Sequence, residues 1–517
     1  MQAQEEIPST GKKTVLGLIW STSEIWGGQI IQFLVFLVLA RLVRPEAFGL
    51  VALLSIFIGV SAEIAGLGLG EALIQKQKVD DVQINSVFWS GLTLNILLTG
   101  FLILSAGQIA SWLHQPPFAP VLRWSSPILI VFSLAHIQET QFRRELNFRP
   151  SAIRRFSGNI TGGCCGIILA FAGAGVWALV ALGWVSALTG CVLLWHQSAW
   201  RPSSVFSTRA IKELLSYGSQ SLGSSLLLIV NRRSDDFIVG SVLGAVALGF
   251  YTVAYRILLV LNYTITLVVQ QVAFPALARL HPQPGRMLSA FRRTTHASSL
   301  LAFGVFTGVA VLAPVLIPVV FGPQWQPSVP TMRILAIVGL IQNILFFNDV
   351  LWRSMGRPGY TTFFFGLNAA ANVVGFVVFA RHGIFAVAMV LLVNTVALSP
   401  VSFVILKRLT GIHLLSYLRQ FLAPFGAASL ASLLTLASGS RWNLPQQTAR
   451  FLFLSTLVFG SSYMGLLVLF DHKFIRELIR FAMSAMPEAY QSNISQLRQW
   501  LFGWRDIARN TDVASDD

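Results

Sequence analysis

A chain of 517 residues that is 54% hydrophobic and only 11% charged, with a mean hydropathy of +0.67, excludes an ordinary soluble domain, where about 25% of residues are charged. It predicts an all-α polytopic membrane protein. The net charge of +16 would suit nucleic acid, but no soluble domain is expected to hold a basic patch, so nucleic acid is excluded as a partner and the charge is read as topology.

Apolar runs of about 20 residues or more with turn signals between them predict fourteen spans: 14–42, 49–74, 85–113, 119–141, 153–174, 175–197, 213–240, 249–277, 295–321, 328–352, 360–380, 383–406, 414–437 and 449–470. The 13 residues before the first are polar and no small-residue cleavage site follows it, so no cleavable signal peptide is expected. An even count places both termini on one side. With that side cytoplasmic, most of the 37 basic residues lie in cytoplasmic stretches, among them Lys76, Lys78, the "RRELNFRPSAIRR" run at 143–155, Arg209, Lys212, Lys407 and Arg408. The positive-inside rule favours this orientation, and attraction to anionic membrane lipid follows from it. Opposite loops such as "HQPP", "GPQWQ" and "RHG" leave no room for an external catalytic domain. The tail from 471 to 517 contains "FIRELIRFAMSAM" and "ISQLRQWLFGWRDIAR", which read as cytoplasmic amphipathic segments on the membrane surface or as partner-binding helices.

Cys164, Cys165 and Cys191 lie in apolar stretches and the eight histidines are scattered, so neither a disulfide framework nor a metal site is expected. No cofactor motif, phosphate loop or nucleophile–base pair stands on a soluble segment, which disfavours an enzyme.

The charges inside the apolar part repeat. Aligning 123–143 with 333–353 sets Arg123 on Arg333, Glu139 on Asp349 and Arg143 on Arg353, and neither segment holds another charge. At an offset of 200, "LVRPEAFGLVA" (42–52) meets "VLGAVALGFYT" (242–252), Gly49 on Gly249. Six spans separate the copies, so the repeats are parallel. The expected organisation is two six-helix bundles, 1–205 and 206–410, two further helices at 411–470, and the tail. Glu139/Arg143 and Asp349/Arg353 are i,i+4 neighbours, leaving open a structural clamp or a gate between the bundles.

"NRRSDDFIVG" (231–240) falls, by the repeat, inside span 7. At about 100° per residue, Arg232, Arg233, Asp235 and Asp236 share one polar face, which must look into protein or water because unpaired charge in lipid costs several kcal/mol. A self-neutralising network and the wall of a hydrated cavity both fit. Arg41 and Arg44 end span 1 as interface anchors or ligands. Arg256 lies in span 8, Glu24 in span 1, and Glu63 stands mid-span with no basic residue within four positions.

"LARLVRPEAFGLVALLSIFIGVSAEIAGLGLGEALIQKQ" (39–77), "DDFIVGSVLGAVALGFYTVAYRI" (235–257) and "AFPALARL" (273–280) closely resemble the Wzx-type polysaccharide-export flippases, the exopolysaccharide, colanic-acid-like branch of the multidrug/oligosaccharidyl-lipid/polysaccharide (MOP) superfamily. The resemblance covers nearly the whole chain. It implies a V-shaped pair of bundles in the bacterial inner membrane that carries an undecaprenyl-diphosphate-linked oligosaccharide between leaflets for exopolysaccharide or lipopolysaccharide biosynthesis. It also implies a cavity lined mainly by spans 1, 2, 7 and 8. Arg232, Arg233, Arg256, Arg41 and Arg44 are the expected substrate contacts, since a guanidinium grips diphosphate oxygens bidentately. Asp235, Asp236, Glu63 and Glu24 are the candidates for coupling to a proton or cation, and polysaccharide polymerase machinery is a candidate partner. A drug or small-cation antiporter of the same superfamily and a membrane glycan polymerase are the alternatives. The first should favour a less cationic cavity and the second should expose a large external loop.

Overall fold

A computed structural model of the protein describes residues 27–262, 265, 268–440 and 448–477. Among these there is no strand. The helices are α1 (Gly27–Leu42), α2 (Pro45–Gly66), α3 (Leu69–Gln75), α4 (Asp81–Trp112), α5 (Phe118–Ser125), α6 (Ile128–Arg144), α7 (Arg149–Phe171), α8 (Val176–Gln197), α9 (Thr208–Val242), α10 (Ala245–Asn262), α11 (Val268–Leu280), α12 (Pro284–Val320), α13 (Val329–Ser354), α14 (Pro358–Phe379), α15 (Ile384–Thr410), α16 (Leu414–Leu418), α17 (Leu422–Gly439) and α18 (Ala449–Phe470).

Eleven of the described helical stretches are long and apolar enough to cross a membrane. The three other expected spans fall on α1, whose expected first part lies outside the described residues, on α7, which carries Arg149, Arg154 and Arg155, and on α9, which carries the four-charge cluster. The tail is described only to Glu477.

Local sequence explains where the helices begin. Proline occupies the first turn of α2, α7, α12 and α14, where a missing N–H costs nothing. Asp80 and Gln83 form a reciprocal capping box before α4. The span expected at 49–74 is instead broken. Leu67 (φ 49°) and Gly68 (φ 65°) are both left-handed, so α3 leaves α2 at an angle. Pro127 likewise separates α5 from α6.

α7 and α8 pack through a glycine seam. A Cβ on Gly158, Gly162 or Gly166 would lie 2.9 Å from the Ser186 carbonyl, 2.6 Å from that of Leu182, or 3.0 Å from the Leu182 Cβ, so only glycine allows the two backbones to approach this closely. Among the described glycines, the one with least room for a Cβ lies where the two repeats meet. Gly49 of α2 sits against Ala245 of α10 and Gly249 of α10 sits against Pro45 of α2. A Cβ on the first glycine would be 1.7 Å from the Ala245 oxygen and on the second 2.0 Å from the Pro45 oxygen. These four residues are two pairs at the offset of 200, so the helices cross about a local two-fold relation.

One buried cluster runs continuously through this crossing, from Leu39, Val43 and Leu113 to Leu248, Ile317, Phe321 and Trp325. Toward the opposite, basic end the cores are separate: Phe88, Ile137 and Leu73 in one, Phe291, Phe347 and Tyr417 in another. α9 is the exception. Its first half packs on α3 and α4, with Gly218 against the Leu67 carbonyl, and Leu214 joins the first repeat's core.

Candidate functional site

The expected site residues sort by depth along α9 and α10. Arg232 and Arg233 stand about ten residues before the end of α9, and Arg256 eleven after the start of α10, so all three lie about 15 Å from the crossing end. Arg232 and Arg233 are exposed. Arg256 reaches the first repeat, its guanidinium carbon 5.6 Å from the centre of the Phe36 ring on α1. This is a cation–π contact across the two bundles. Its Nε is buried and has no hydrogen-bond partner, and the charge of Arg233 is close enough to act on it.

The single polar face expected on α9 divides. Asp235 and Asp236 are buried, at 4% and 7% exposure, in the angle between α9, α2 and α10. The Tyr251 hydroxyl donates to Asp235 Oδ2 at 2.8 Å, the Asp236 amide donates to Asp235 Oδ1 at 2.9 Å, and Arg233 pairs with Asp236 at 3.0 Å. Phe237, beside the acids, packs on Phe57 of α2 and Trp112 of α4 with ring centres 6.4 and 5.9 Å apart. One arginine is therefore neutralised locally while Arg232 and Arg256 are in no ion pair among the described residues. The arrangement presents a cationic surface backed by a buried carboxylate pair. It can hold an anion by charge and hydrogen bonding, and the carboxylates can hold a proton or a cation.

Glu63 is exposed on α2, about 27 Å from the start of that helix. Glu24 lies outside the described residues. Arg44 precedes α2 and is exposed, with no capping bond. Arg41 is engaged elsewhere: its Nε donates to the Val320 carbonyl at 2.9 Å and a terminal nitrogen to that of Val319. A cation on the last carbonyls of α12 satisfies orphan acceptors and complements the helix dipole. Beside it the Trp325 indole and Gln324 amide both donate to the Ala40 carbonyl, at 2.7 and 2.9 Å. The two bundles are thus clasped at the crossing end.

At the basic end, Lys76 and Gln83 reach Glu213 of α9 at 3.4 and 3.3 Å. Sequence reasoning singled out none of these three as partners.

The repeated charges occupy equivalent places. Asp349 and Arg353 pair at 2.8 Å, with Arg353 also 5.5 Å from the Phe274 ring. Glu139 pairs with Arg143 at 3.2 Å and also with Arg154 of α7, a partner missed because the expected span starts only at 153 and Arg154 counts with the cytoplasmic basic run. Pro150, one residue into α7, was the available signal that a helix begins there. At the other ends, Arg333 donates to the Ala310 carbonyl of α12 at 3.2 Å, and Arg123 lies against Gly107 of α4.

Comparison with known proteins agrees with the resemblance. The succinoglycan biosynthesis transport protein ExoT of Rhizobium meliloti (strain 1021) is 27% identical over 93% of this chain and 98% of its own length. The lipopolysaccharide biosynthesis protein WzxC of Escherichia coli (strain K12) is 23% identical over 65% of this chain and 69% of its own. In fold, the chain is similar to the lipid II flippase MurJ in its inward closed conformation, with a TM-score of 0.72, 12% identity and coverage of 89% of this chain and 100% of that one. It also resembles an inward-facing multidrug resistance MATE family transporter of the MOP superfamily, with a TM-score of 0.57, 16% identity and coverage of 72% and 93%. The sequence profile described as polysaccharide biosynthesis protein matches residues 38–330, more than half of the 517, and the chain belongs to that family.

Proposed function

We propose that this protein carries an undecaprenyl-diphosphate-linked oligosaccharide from the inner to the outer leaflet of the bacterial cytoplasmic membrane, by alternate opening of two six-span bundles, 1–205 and 206–410. Both termini and the basic end are cytoplasmic in this reading, and no bond of the cargo is made or broken. Membership of the family and the fold shared with MurJ support lipid-linked cargo. The observation that carries the reading is the Arg256 guanidinium, buried at Nε without a partner, at about the same depth as the exposed Arg232 and Arg233. Cationic groups held at mid-depth in a membrane protein call for an anion, and a diphosphate offers several oxygens to planar guanidinium forks. Asp235 and Asp236 behind them are the groups proposed to exchange a proton or cation as the cargo charge comes and goes.

The test is transport in the native host or in vesicles loaded with a defined lipid-linked glycan. The double variant Arg232→Ala, Arg233→Ala should abolish translocation with protein abundance near normal. Lysine at the same positions should rescue in part, keeping charge but losing the fork. Normal translocation by a stable double alanine variant would overturn the cargo role.

A further inference from the structure

We infer that the cleft between α14 and α15 at the basic end is a binding site for one anionic phospholipid. It has a volume of about 740 Å³ and is lined by Arg357, Tyr360 and Phe363 of the α14 side and by Pro400, Val404 and Arg408 of α15. That volume is in the range of sites that hold small molecules, about 300–1,000 Å³.

The cleft has a structural cause. At the other end of the same helix pair, Gly375 lies against Val390, so closely that a Cβ would be 2.4 Å from its methyl. In the middle, Asn394 donates to the Asn372 side chain at 2.7 Å and to the Asn368 carbonyl at 3.2 Å. Below that tie the helices part. Pro400 cannot donate to the carbonyl of Val396, which instead accepts from the Ser399 hydroxyl at 2.8 Å, a substitution that bends helices. The glycine at this end of α14, Gly359, has nothing within contact distance. The α7/α8 pair of the first repeat is instead held close along its glycine seam.

The chemistry of the lining is split by depth. Arg357 directly precedes α14 and Arg408 lies in the last turn of α15, so both guanidiniums sit at the rim. Both are exposed, and neither is in an ion pair among the described residues. No acidic residue lines the cleft. Below them the walls are Phe363, Val404 and Pro400, with Phe363 and Val404 58% and 50% exposed. A phosphate head at the arginines with an acyl chain along the apolar wall satisfies both halves, and basic pockets between spans are where anionic headgroups bind. The site lies on the second repeat alone, away from Arg232, Arg233 and Arg256.

Native mass spectrometry of the full chain tests this, with titration by phosphatidylglycerol, by phosphatidylcholine as the neutral arm, and by glycerol phosphate as a competitor without chains. One phosphatidylglycerol should bind before any other lipid. The double variant Arg357→Gln, Arg408→Gln should weaken it roughly thirtyfold, and Arg357→Lys, Arg408→Lys much less. Val404→Trp, at an exposed position, should weaken it with both arginines intact, and it keeps the test open if the glutamine variant does not fold. Equal affinity for the neutral lipid, unchanged binding in the glutamine variant, unchanged binding in Val404→Trp, or displacement by glycerol phosphate would each overturn the assignment.

Discussion

The crossing of α2 and α10 makes a quantitative prediction. Ordinary van der Waals contact for a Cβ begins at 3.4 Å, whereas the positions that Gly49→Ala and Gly249→Ala would create lie 1.7 and 2.0 Å from backbone oxygens. The helices must separate by about 1.7 Å for the first and about 1.4 Å for the second. Overpacking of this kind costs about 1–3 kcal/mol, toward the upper value here because a carbonyl on a helix cannot rotate away as a side chain can. Both clashes are relieved by the same movement. Once Gly49→Ala has parted the helices, Gly249→Ala adds little, so the double variant should lose about what Gly49→Ala loses alone, a coupling of about 1–3 kcal/mol. Thermal unfolding of the solubilised protein, followed by size-exclusion monodispersity, reads this directly. Strictly additive losses, or a Gly49→Ala variant that melts with the wild type, would refute a shared crossing.

Two further outcomes follow from the ion pairs and the buried network. Arg154→Gln should destabilise by about 1 kcal/mol and Arg143→Gln by less, because the Arg154 side chain is 32% exposed and that of Arg143 50%, and each leaves Glu139 with one arginine partner. For the same reason, exchanging Glu139 and Arg143 should restore little, since Arg154 would then face an arginine; a full rescue in expression and melting would show that Arg154 is not a partner. Tyr251→Phe removes the hydroxyl that donates to Asp235 and should cost about 1.5–3 kcal/mol if the carboxylate is charged; an unchanged melting temperature in that variant alone but not in Asp235→Ala would mean that the bond does not hold the pair in place.

Much of the fold was legible because hydrophobic run length dictates spans and because the repeat is written in residues that cannot vary freely. Gly49 and Gly249 match across 200 residues because each meets the other helix's backbone. Glu139 and Asp349 match because each holds a cation at a helix end. The break after α2 was hidden, since Gly66 and Gly68 in an apolar run look like the small residues that membrane helices tolerate, and Leu67 gives no sign of a left-handed backbone. The path of α9 along the first repeat depends on Gly218 meeting the Leu67 carbonyl, a contact with no chemical signature in either neighbourhood. In the candidate site, charge spacing put Arg232, Arg233, Asp235 and Asp236 on one face, whereas the arginines are exposed and the aspartates buried, because helical angle alone does not say how wide the buried sector is. Tyr251 and Arg154 were passed over since their partners sit on other helices. Arg41 was weighed as a ligand because backbone acceptors, which it actually engages, leave no trace in a sequence.

The two fastenings between the bundles differ in what they are made of. Around Ala40, Arg41, Val320 and Trp325 every hydrogen-bond acceptor is a peptide carbonyl, a group that neither titrates nor attracts counterions in proportion to its medium. At Lys76 and Glu213 the fastening is an exposed ion pair, which dissolved electrolyte weakens. In the proposed orientation the carbonyl fastening faces the exterior and the electrolyte-sensitive one faces the buffered cytoplasm. Such a transporter would hold its outer door largely by neutral donors and acceptors, with only the Arg41 cation open to screening, and leave the inner one to an ion pair whose strength follows the ionic strength of the cytoplasm.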